Sequence, residues 1–264
     1  MQNKSPTLVK RRNRIHLEKL ASPIFLRYKD KFYKIKVSFL MASTIKLLTV
    51  DAAGTLIRPW PSVGAVYAQT AREYGLQVDD QEIDSRFYLV LGQMQKDKSI
   101  TRGEEKEFWR AVVFETFQPF CNLDQLEPIF EKLWNLFATG DHWRLSEHAE
   151  STLRSIRERG YRIALLSNND SRLRQVIKDL DIEELFDEIF ISAEIGFEKP
   201  DPEIFKFVET KMGFQPKEIL HLGDSHSRDF EGSQAAGWSA LLFGKPKIEE
   251  EQINCFSELL DRLP

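Results

Sequence analysis

The chain has 264 residues, enough for one domain with an insertion, and its 42% hydrophobic and 30% charged residues are typical of a globular protein. The formal net charge is −4, but residues 1–40 carry eleven Lys and Arg against two acidic residues, so the rest of the chain is strongly acidic. An acidic body argues against nucleic-acid binding, and no stretch has the roughly 18 consecutive apolar residues of a transmembrane helix. We therefore expect no nucleic-acid partner and no membrane partner.

Residues 1–42 form a basic N-terminal extension. They are rich in Arg and Lys, as organellar transit peptides are, but serines are few, and Pro6 and Pro23 interrupt any long amphipathic helix. The favoured interpretation is that Met41-Ala42-Ser43 is the real start, and that the residues before it are a gene-model extension or a disordered tail outside the fold. A transit segment and a basic contact patch are the alternatives. Cys121 and Cys255 form no metal-binding or disulfide motif, which indicates free thiols in a reducing compartment. We therefore expect a cytoplasmic protein, with organellar import as the less favoured location.

The first predicted element after this extension is a buried strand that ends at a carboxylate. Residues Ile45 to Val50 are almost continuously apolar or β-branched, as in a parallel strand that is covered on both faces. Asp51 follows directly, and Gly54 allows the chain to turn. In an open α/β sheet the ligand crevice lies beyond the carboxyl ends of the strands. Asp51 is therefore a candidate site residue, although a turn aspartate would explain this stretch by itself.

Residues 59–145 are predicted to form an all-helical insert. Apolar residues recur there at helical spacing in four segments, separated by turn-like stretches. The predicted helices are Val63–Tyr74, Gln81–Gln95, Glu104–Phe117 and Leu126–Phe137. Their many aromatic residues suit the inner faces of a bundle, and we expect one or two of them to face a substrate.

After residue 146 the sequence alternates between helical and strand patterns. The predicted helices are Ala149–Glu158, Ser171–Leu180 and Asp201–Met212, and the predicted strands are Arg162–Ser167, Glu188–Ile191, Glu218–Leu222 and Ser239–Phe243. Strands that alternate with helices indicate a parallel sheet with helices on both faces. The predicted fold class is therefore α/β, a Rossmann-like parallel sheet core with an inserted all-helical domain.

Polar residues follow several of these predicted strands. Ser167 precedes a helix, where a hydroxyl and backbone N–H groups can bind an anion, although an N-cap explains it equally well. Lys199 precedes two prolines that fix the chain where it enters a helix, and Asp224 and Asp229 follow the fourth strand. Carboxylates at adjacent strand ends repel each other unless a hard cation such as Mg²⁺ binds between them. Together with Asp51, these groups predict one site at one edge of the sheet.

The ordered motifs resemble those of the haloacid dehalogenase (HAD) superfamily of hydrolases. The motifs are Asp51 with Thr55, Ser167, Lys199-Pro200, and Gly223-Asp224 with Asp229. An insert directly after the first motif is similar to the helical C1 cap of subfamily I, and details of the motifs are most similar to the branch named after haloacid dehalogenase-like hydrolase domain-containing protein 3. The resemblance implies a core over residues 43–58 and 146–264 and a cap over residues 59–145.

The resemblance also implies a reaction. Members form a covalent phospho-aspartate on the first motif and then lose the phosphoryl group to water, so the implied substrate is a small phosphorylated metabolite and the implied cofactor is Mg²⁺. The implied catalytic residues are Asp51 and Lys199; the substrate-binding residues are Thr55, Ser167, Asn168 and Lys199; and the metal ligands are Asp51, Asp224, Asp229 and the carbonyl of Ala53.

Ala53 is a departure from the family pattern. Family phosphatases carry an acid at this position that protonates the leaving group, and such help is typically worth about 10²–10⁴ in rate. One hypothesis is a slow phosphatase, or one restricted to acidic leaving groups such as acyl phosphates. Another is that an acid comes from His226, Asp170 or the cap.

Two further alternatives stay open. The sequence Asp-x-Ala-Gly-Thr matches phosphonatases, in which a cap lysine forms a Schiff base, and Lys96 and Lys98 lie in the appropriate part of the insert. The chain could also be a phospho-ligand binder that kept the anion site and the metal without catalysis. A haloacid dehalogenase proper is less favoured because it needs no metal, whereas Asp224 and Asp229 are present.

Overall fold

A six-stranded parallel sheet forms the centre of the fold. In the computed structural model, residues 45–97, 103–244 and 249–263 are described, so the basic extension 1–42 and Lys98 lie outside the described residues. The strands of this sheet are β1 (Leu47–Val50), β4 (Arg162–Ser167), β5 (Glu188–Ile191), β6 (Ile219–Gly223), β7 (Ser239–Phe243) and β8 (Gln252–Ile253). Their order in the sheet is β5-β4-β1-β6-β7-β8. The predicted α/β class and parallel sheet are confirmed.

β1 is central because both of its neighbours are parallel and both of its faces are covered. Leu47 pairs with Arg162 of β4 and with Ile219 of β6, and all four residues of β1 are buried. Leu48 and Val50 belong to the hydrophobic cluster on one face of the sheet, whereas Leu47 belongs to the cluster on the other. This double coverage explains why the strand is continuously apolar.

Helices cover the sheet and form the insert. The four helices of the insert are α1 (Val63–Glu73), α2 (Asp80–Asp97), α3 (Glu105–Phe117) and α4 (Leu123–Leu136). They pack on a hydrophobic cluster of their own, built mainly from aromatic and branched side chains. The later helices are α5 (Ala149–Glu158), α6 (Arg172–Asp179), α7 (Ser192–Ile195), α8 (Pro202–Met212), α9 (Gly232–Ala235) and α10 (Leu259–Arg262), with a π-helical turn over His226–Glu231.

The structure adds elements that the sequence patterns did not predict. A short antiparallel pair, β2 (Ile57–Pro59) and β3 (Trp143–Leu145), joins the two ends of the insert, and β8 extends the sheet. These strands have only two or three residues, too few to show a period of two. The predicted domain boundary between residues 58 and 59 falls within β2, and the one between residues 145 and 146 falls at the end of β3. Both boundaries stay a prediction.

No helix of the described residues is long and apolar enough to cross a membrane.

Candidate active site

The sheet topology brings the predicted site residues to one edge. Asp51 follows β1, Ser167 is the last residue of β4, and Asp224 follows β6. Because β1 lies between β4 and β6 and all three strands are parallel, their carboxyl ends meet at the same edge. Lys199 reaches this edge from the turn before α8. The sequence-based expectation that these residues converge is therefore met in the geometry.

Lys199 is the centre of the hydrogen-bond network. Its side chain is only 1% exposed, and its Nζ donates to Asp51 Oδ1 at 2.8 Å and to the carbonyl of Leu166 at 2.8 Å. Asp229 Oδ1 lies 2.6 Å from the same Nζ. A buried ammonium needs such partners, because each unsatisfied donor would carry a desolvation penalty. The three contacts fix the amine beside the candidate nucleophile.

Asn168 holds the backbone of Lys199. Its side-chain amide donates to the Lys199 carbonyl at 2.7 Å and accepts from the Lys199 N–H at 2.7 Å. These paired contacts tie the loop after β4 to the turn that carries Lys199. The structure thus gives Asn168 a positioning contact, while its predicted contact with substrate stays a prediction.

Asp224 is positioned by Thr55 and Gly54. Thr55 Oγ1 donates to Asp224 Oδ1 at 3.2 Å, so the predicted substrate-binding hydroxyl is directed at a carboxylate in this structure. Gly54 has a φ of +99°, and a Cβ at this position would lie 2.5 Å from Asp224 Oδ2. Glycine is therefore required here both for the backbone conformation and for the space that Asp224 occupies.

Asp229 is bound by a buried histidine that the sequence patterns did not single out. His221 Nε2 lies 3.1 Å from Asp229 Oδ1, and His221 Nδ1 lies 2.8 Å from Thr49 Oγ1. Since a carboxylate only accepts, Nε2 carries the proton and Nδ1 accepts from the threonine hydroxyl. The N–H of Ser225 donates to Asp229 Oδ2 at 2.8 Å. Both oxygens of Asp229 are therefore occupied within the protein.

These contacts shift the pKa values in different directions. Burial, with the charges of Asp229 and Asp224, raises the pKa of Asp51 to about 6, against the opposing effect of Lys199. Burial and Asp229 raise the pKa of Asp224. Burial also acts to raise the pKa of Asp229, but Lys199 and His221 outweigh it and lower that pKa. Asp51 is thus still ionised at neutral pH, although Lys199 alone does not hold its pKa low.

Lys199 stays positively charged, whereas His221 stays neutral. Burial opposes the charge on Lys199, but Asp229 and Asp51 raise its pKa, so the amine stays protonated. Burial and the Lys199 charge lower the pKa of His221, which keeps the imidazole neutral.

The carboxylates fit a divalent cation. Oxygens of Asp51, Asp224 and Asp229 lie within 4.8 Å of one another. No described residue donates a hydrogen bond to the carbonyl oxygen of Ala53, which leaves it available as a fourth oxygen ligand. Hard cations such as Mg²⁺ prefer oxygen ligands of this kind. Asp51, Asp224 and Ala53 are the better placed ligands, since Asp229 is already engaged by Lys199 and His221.

A cavity of about 380 Å³ extends from these residues towards the insert. Ser167 is buried at its edge, and Ala53 is exposed to it. Arg58 and Arg228 also line it, and neither has an ion-pair partner among the described residues. Two unpaired guanidinium groups in one cavity complement an anionic ligand. Sequence patterns missed both arginines because isolated surface arginines carry no signal.

The two residues proposed as substitute acids are otherwise engaged. Asp170 accepts from Arg172 Nε and Nη2 at 2.8 Å each and from Trp109 Nε1 at 2.9 Å. His226 Nε2 lies 2.9 Å from Glu249, and His226 is not among the residues that line the cavity. The hypothesis that one of them replaces the missing acid has no support in these contacts.

The phosphonatase alternative depends on a cap lysine, Lys96 or Lys98. Lys98 lies outside the described residues, and Lys96 belongs to α2 without a described side chain. A cap lysine therefore stays a prediction.

The chain is similar to known hydrolases. A family model of haloacid dehalogenase-like hydrolases matches residues 45–237. Haloacid dehalogenase-like hydrolase domain-containing protein 3 of Mus musculus is 33% identical over 204 residues, 75% of this chain and 81% of that protein. Glyceraldehyde 3-phosphate phosphatase of Methanothermobacter thermautotrophicus is 35% identical over 104 residues, 39% of this chain and 46% of that protein.

A solved structure has the same fold. It is that of YfnB, a magnesium-bound protein of Bacillus subtilis, which covers 83% of this chain and 98% of its own with a TM-score of 0.65 and 19% identity. The resemblance drawn from the motifs is confirmed by the family match over residues 45–237. This chain belongs to the haloacid dehalogenase-like hydrolase family and is an enzyme of that family.

Proposed function

We propose that this hydrolase is a Mg²⁺-dependent phosphatase that transfers the phosphoryl group of a small phosphorylated metabolite first to Asp51 and then to water. The observation that carries the proposal is the buried Lys199 Nζ that lies 2.8 Å from Asp51 Oδ1, beside the carboxylates of Asp224 and Asp229. A protonated amine beside an ionised carboxylate can hold a phosphoryl oxygen while the carboxylate attacks phosphorus. The magnesium-bound relative supports the choice of metal.

The protein's own groups divide the work. An oxygen of Asp51 bonds to phosphorus while the Ser167 hydroxyl and Lys199 bind the phosphoryl oxygens, Lys199 with the N–H that it directs at Asp51 in the free protein, and Arg58 and Arg228 add positive charge to the cavity. Mg²⁺, held by Asp51, Asp224 and the Ala53 carbonyl, would neutralise negative charge on the transferred group. Asp229 keeps Lys199 in place, and His221 keeps Asp229 in place.

The helical insert, residues 59–145, would act as the cap over this site. It has its own hydrophobic cluster, and its side chains form much of the cavity wall. The free thiols Cys121 and Cys255 support a cytoplasmic location.

A second candidate function is a phospho-ligand binder without turnover. Ala53 favours it, because its methyl group can neither protonate a leaving group nor activate water. The buried Lys199 beside Asp51 favours the enzyme, because it positions a nucleophile that ligand binding alone does not require.

The test is a substrate panel with Mg²⁺. The phosphatase hydrolyses acetyl phosphate and p-nitrophenyl phosphate, and it hydrolyses alkyl phosphates about 10²–10⁴ more slowly because they need a proton at the leaving oxygen. The matched control is Asp51→Asn, which keeps the shape of the side chain and loses all turnover. Phosphate binding without hydrolysis of any compound would establish the binder and reject the phosphatase.

A further inference from the structure

The active-site cavity has two kinds of wall. One part of the lining is polar and includes Asp51, Ser167 and Asp224, and the other part is made of aromatic side chains from the four insert helices. The aromatic wall includes Phe87, Tyr88, Trp109, Phe130, Trp134 and Phe137. A ligand whose phosphoryl group reaches Asp51 would therefore place its leaving group among aromatic rings.

The cavity is too large for a very small leaving group to fill. At about 380 Å³ it lies within the roughly 300–1,000 Å³ range of pockets that enclose drug-sized ligands. A phosphate ester of two or three carbons would leave the aromatic part to water, which binds poorly where it lacks polar partners. The leaving group must be larger to fill this part.

The aromatic wall has surfaces free to stack. Tyr88 is 54% exposed although it lines the cavity, and its ring contacts Phe87 only edge to face, with centroids 5.2 Å apart. Flat rings stacked on such surfaces gain affinity beyond the burial of their area. A sugar would turn some of its hydroxyl groups towards the aromatic side chains, where an unpaired hydroxyl lowers affinity. A flat apolar group is the better occupant.

The chemistry of the cavity restricts the leaving group further. Ala53 supplies no proton, and Asp170 accepts three hydrogen bonds from Arg172 and Trp109. Burial raises the pKa values of the Tyr67 and Tyr88 hydroxyls, which makes them weaker acids than free phenols. The departing oxygen must therefore be stable as an anion. The oxygen of a phenol, with a pKa of about 10, is more stable as an anion than the oxygen of an alcohol.

We propose that the substrate class is aryl phosphates, monoesters in which phosphate is bonded to an aromatic ring through oxygen. This inference rests on the proposed phosphatase function. An Asp51 oxygen bonds to phosphorus while the bond between phosphorus and the aryl oxygen breaks, and the electron pair leaves on the aryloxide, which takes a proton from water. A water oxygen then bonds to phosphorus, the bond to Asp51 breaks, and the carboxylate is restored. The protons of that water pass to phosphate and solvent.

Three compounds test the two parts of the inference. 1-Naphthyl phosphate has a flat ring and an acidic leaving group, 1-naphthylmethyl phosphate has the same ring on an alcohol, and acetyl phosphate has an acidic leaving group without a ring. With Mg²⁺, the KM for 1-naphthyl phosphate should be at least about tenfold below that for acetyl phosphate. Its kcat/KM should exceed that for 1-naphthylmethyl phosphate by at least about 10²–10⁴, the usual contribution of a general acid, because kcat/KM reports the step in which the leaving group departs.

A matched pair of variants tests where the ring binds. Leu91 lines the cavity, whereas Leu89, on the same helix, is 59% exposed and does not line it. Leu91→Trp should raise the ratio of the KM for 1-naphthyl phosphate to the KM for acetyl phosphate at least about tenfold, and Leu89→Trp should not change it. Equal KM values for the two compounds, or equal ratios in the two variants, would overturn the inference.

The outcomes separate this inference from the proposed function. Asp51-dependent hydrolysis of acetyl phosphate without preference for the naphthyl ester rejects the aryl substrate and leaves the phosphatase standing. If the unmodified enzyme with Mg²⁺ hydrolyses neither acetyl phosphate nor 1-naphthyl phosphate, the proposed phosphatase function itself is rejected.

Discussion

In the proposed mechanism, residue 53 would affect the reaction in two separate ways, one through its backbone and one through its side chain. The carbonyl of Ala53 accepts no hydrogen bond from the described residues, so alanine leaves the proposed metal ligand intact. The side chain faces the cavity as a methyl group, where an acid would reach the leaving group. Alanine in place of the acid that family phosphatases carry should therefore affect proton transfer and leave metal binding unchanged.

The first prediction restores the acid. Ala53→Asp should raise kcat/KM for alkyl phosphates by about 10²–10⁴ and change kcat/KM for acetyl phosphate little, because kcat/KM reports phosphoryl transfer to Asp51 and only the alkoxide needs a proton to leave in that step. Ala53→Asn, which has the same shape and no exchangeable acid, is the control and should raise neither. Equal rates in the two variants would show that another group already supplies the proton.

The second prediction concerns Gly54. Gly54 and Gly75 both have positive φ, +99° and +83°, but a Cβ would meet Asp224 only at Gly54 and nothing within 4 Å at Gly75. Replacing either residue by alanine should lower the free energy of unfolding by about 1–2 kcal/mol through the backbone. Only Gly54→Ala should also weaken Mg²⁺ binding in calorimetric titration, by roughly 10- to 100-fold as for other groups that support a metal ligand. A similar loss of Mg²⁺ affinity in Gly75→Ala would contradict the proposed metal site.

Among the elements, those with a clear period could be predicted from sequence. β1 and β4 are apolar on both faces, and this double coverage marked them as buried strands and their following residues as site candidates. The helices of the insert were predicted to within a few residues; α4 begins at Leu123 where the pattern predicted Leu126. Because parallel strands end at one edge, the predicted strands were enough to bring Asp51 and Asp224 together.

The remaining features depend on contacts between distant parts of the chain. His221 lies within an apolar strand. From sequence alone, a histidine there cannot be assigned to the site rather than to the core, because its contacts with Thr49 and Asp229 appear only in the folded protein. Arg58 lies in a three-residue strand that ends in proline, too short for any pattern. The contact of Arg172 with the insert is tertiary, so no local signal exists.

Arg172 joins the loop after β4 to two helices of the insert. It binds Asp170, donates to the carbonyl of Trp134 in α4 at 3.1 Å and stacks 3.4 Å from the centre of the Trp134 ring. Trp109 of α3 donates to the same Asp170. One guanidinium thus connects the sheet edge with both helices, and a planar group is needed for both the paired hydrogen bonds and the stacking.

The third prediction tests this connection. Arg172→Lys keeps the charge but loses the paired hydrogen bonds and the stacking, which leaves the buried Asp170 partly unsatisfied, so urea unfolding should show a loss of about 1–3 kcal/mol. Arg154→Lys is the control, because Arg154 pairs with Glu150 and Glu184 while 45% exposed, and it should lose less than about 1 kcal/mol. Equal losses in the free energy of unfolding of the two variants would mean that the buried contacts of Arg172 add no stability beyond that of an exposed ion pair.

At the scale of the whole molecule, the sheet edge supplies the charge and the insert supplies the enclosure. The three carboxylates Asp51, Asp224 and Asp229 are close enough to repel one another, and Lys199 neutralises only part of their charge. The folded protein therefore stores an electrostatic penalty that a bound cation removes.

The fourth prediction follows from this balance. Mg²⁺ at about 100 times its Kd should stabilise the folded protein by about 2.7 kcal/mol and raise its Tm, because the unfolded chain has no such site. Asp224→Asn should be more stable than the original protein in EDTA, since a repelling charge is gone, and should lose the response to Mg²⁺. Asp261→Asn, at an exposed position in α10, should keep the full response. An undiminished response in Asp224→Asn would place the cation elsewhere.

The most direct test of the central claim is to identify the covalent intermediate. The enzyme, mixed with acetyl phosphate and Mg²⁺, is quenched in acid within the first turnover and digested, and the peptides are analysed by mass spectrometry. Phosphoryl transfer to Asp51 predicts a phosphorylated peptide that contains this residue and that is absent in EDTA and in Asp51→Asn. Hydrolysis at an undiminished rate in Asp51→Asn, or phosphorylation of a different residue, would contradict it.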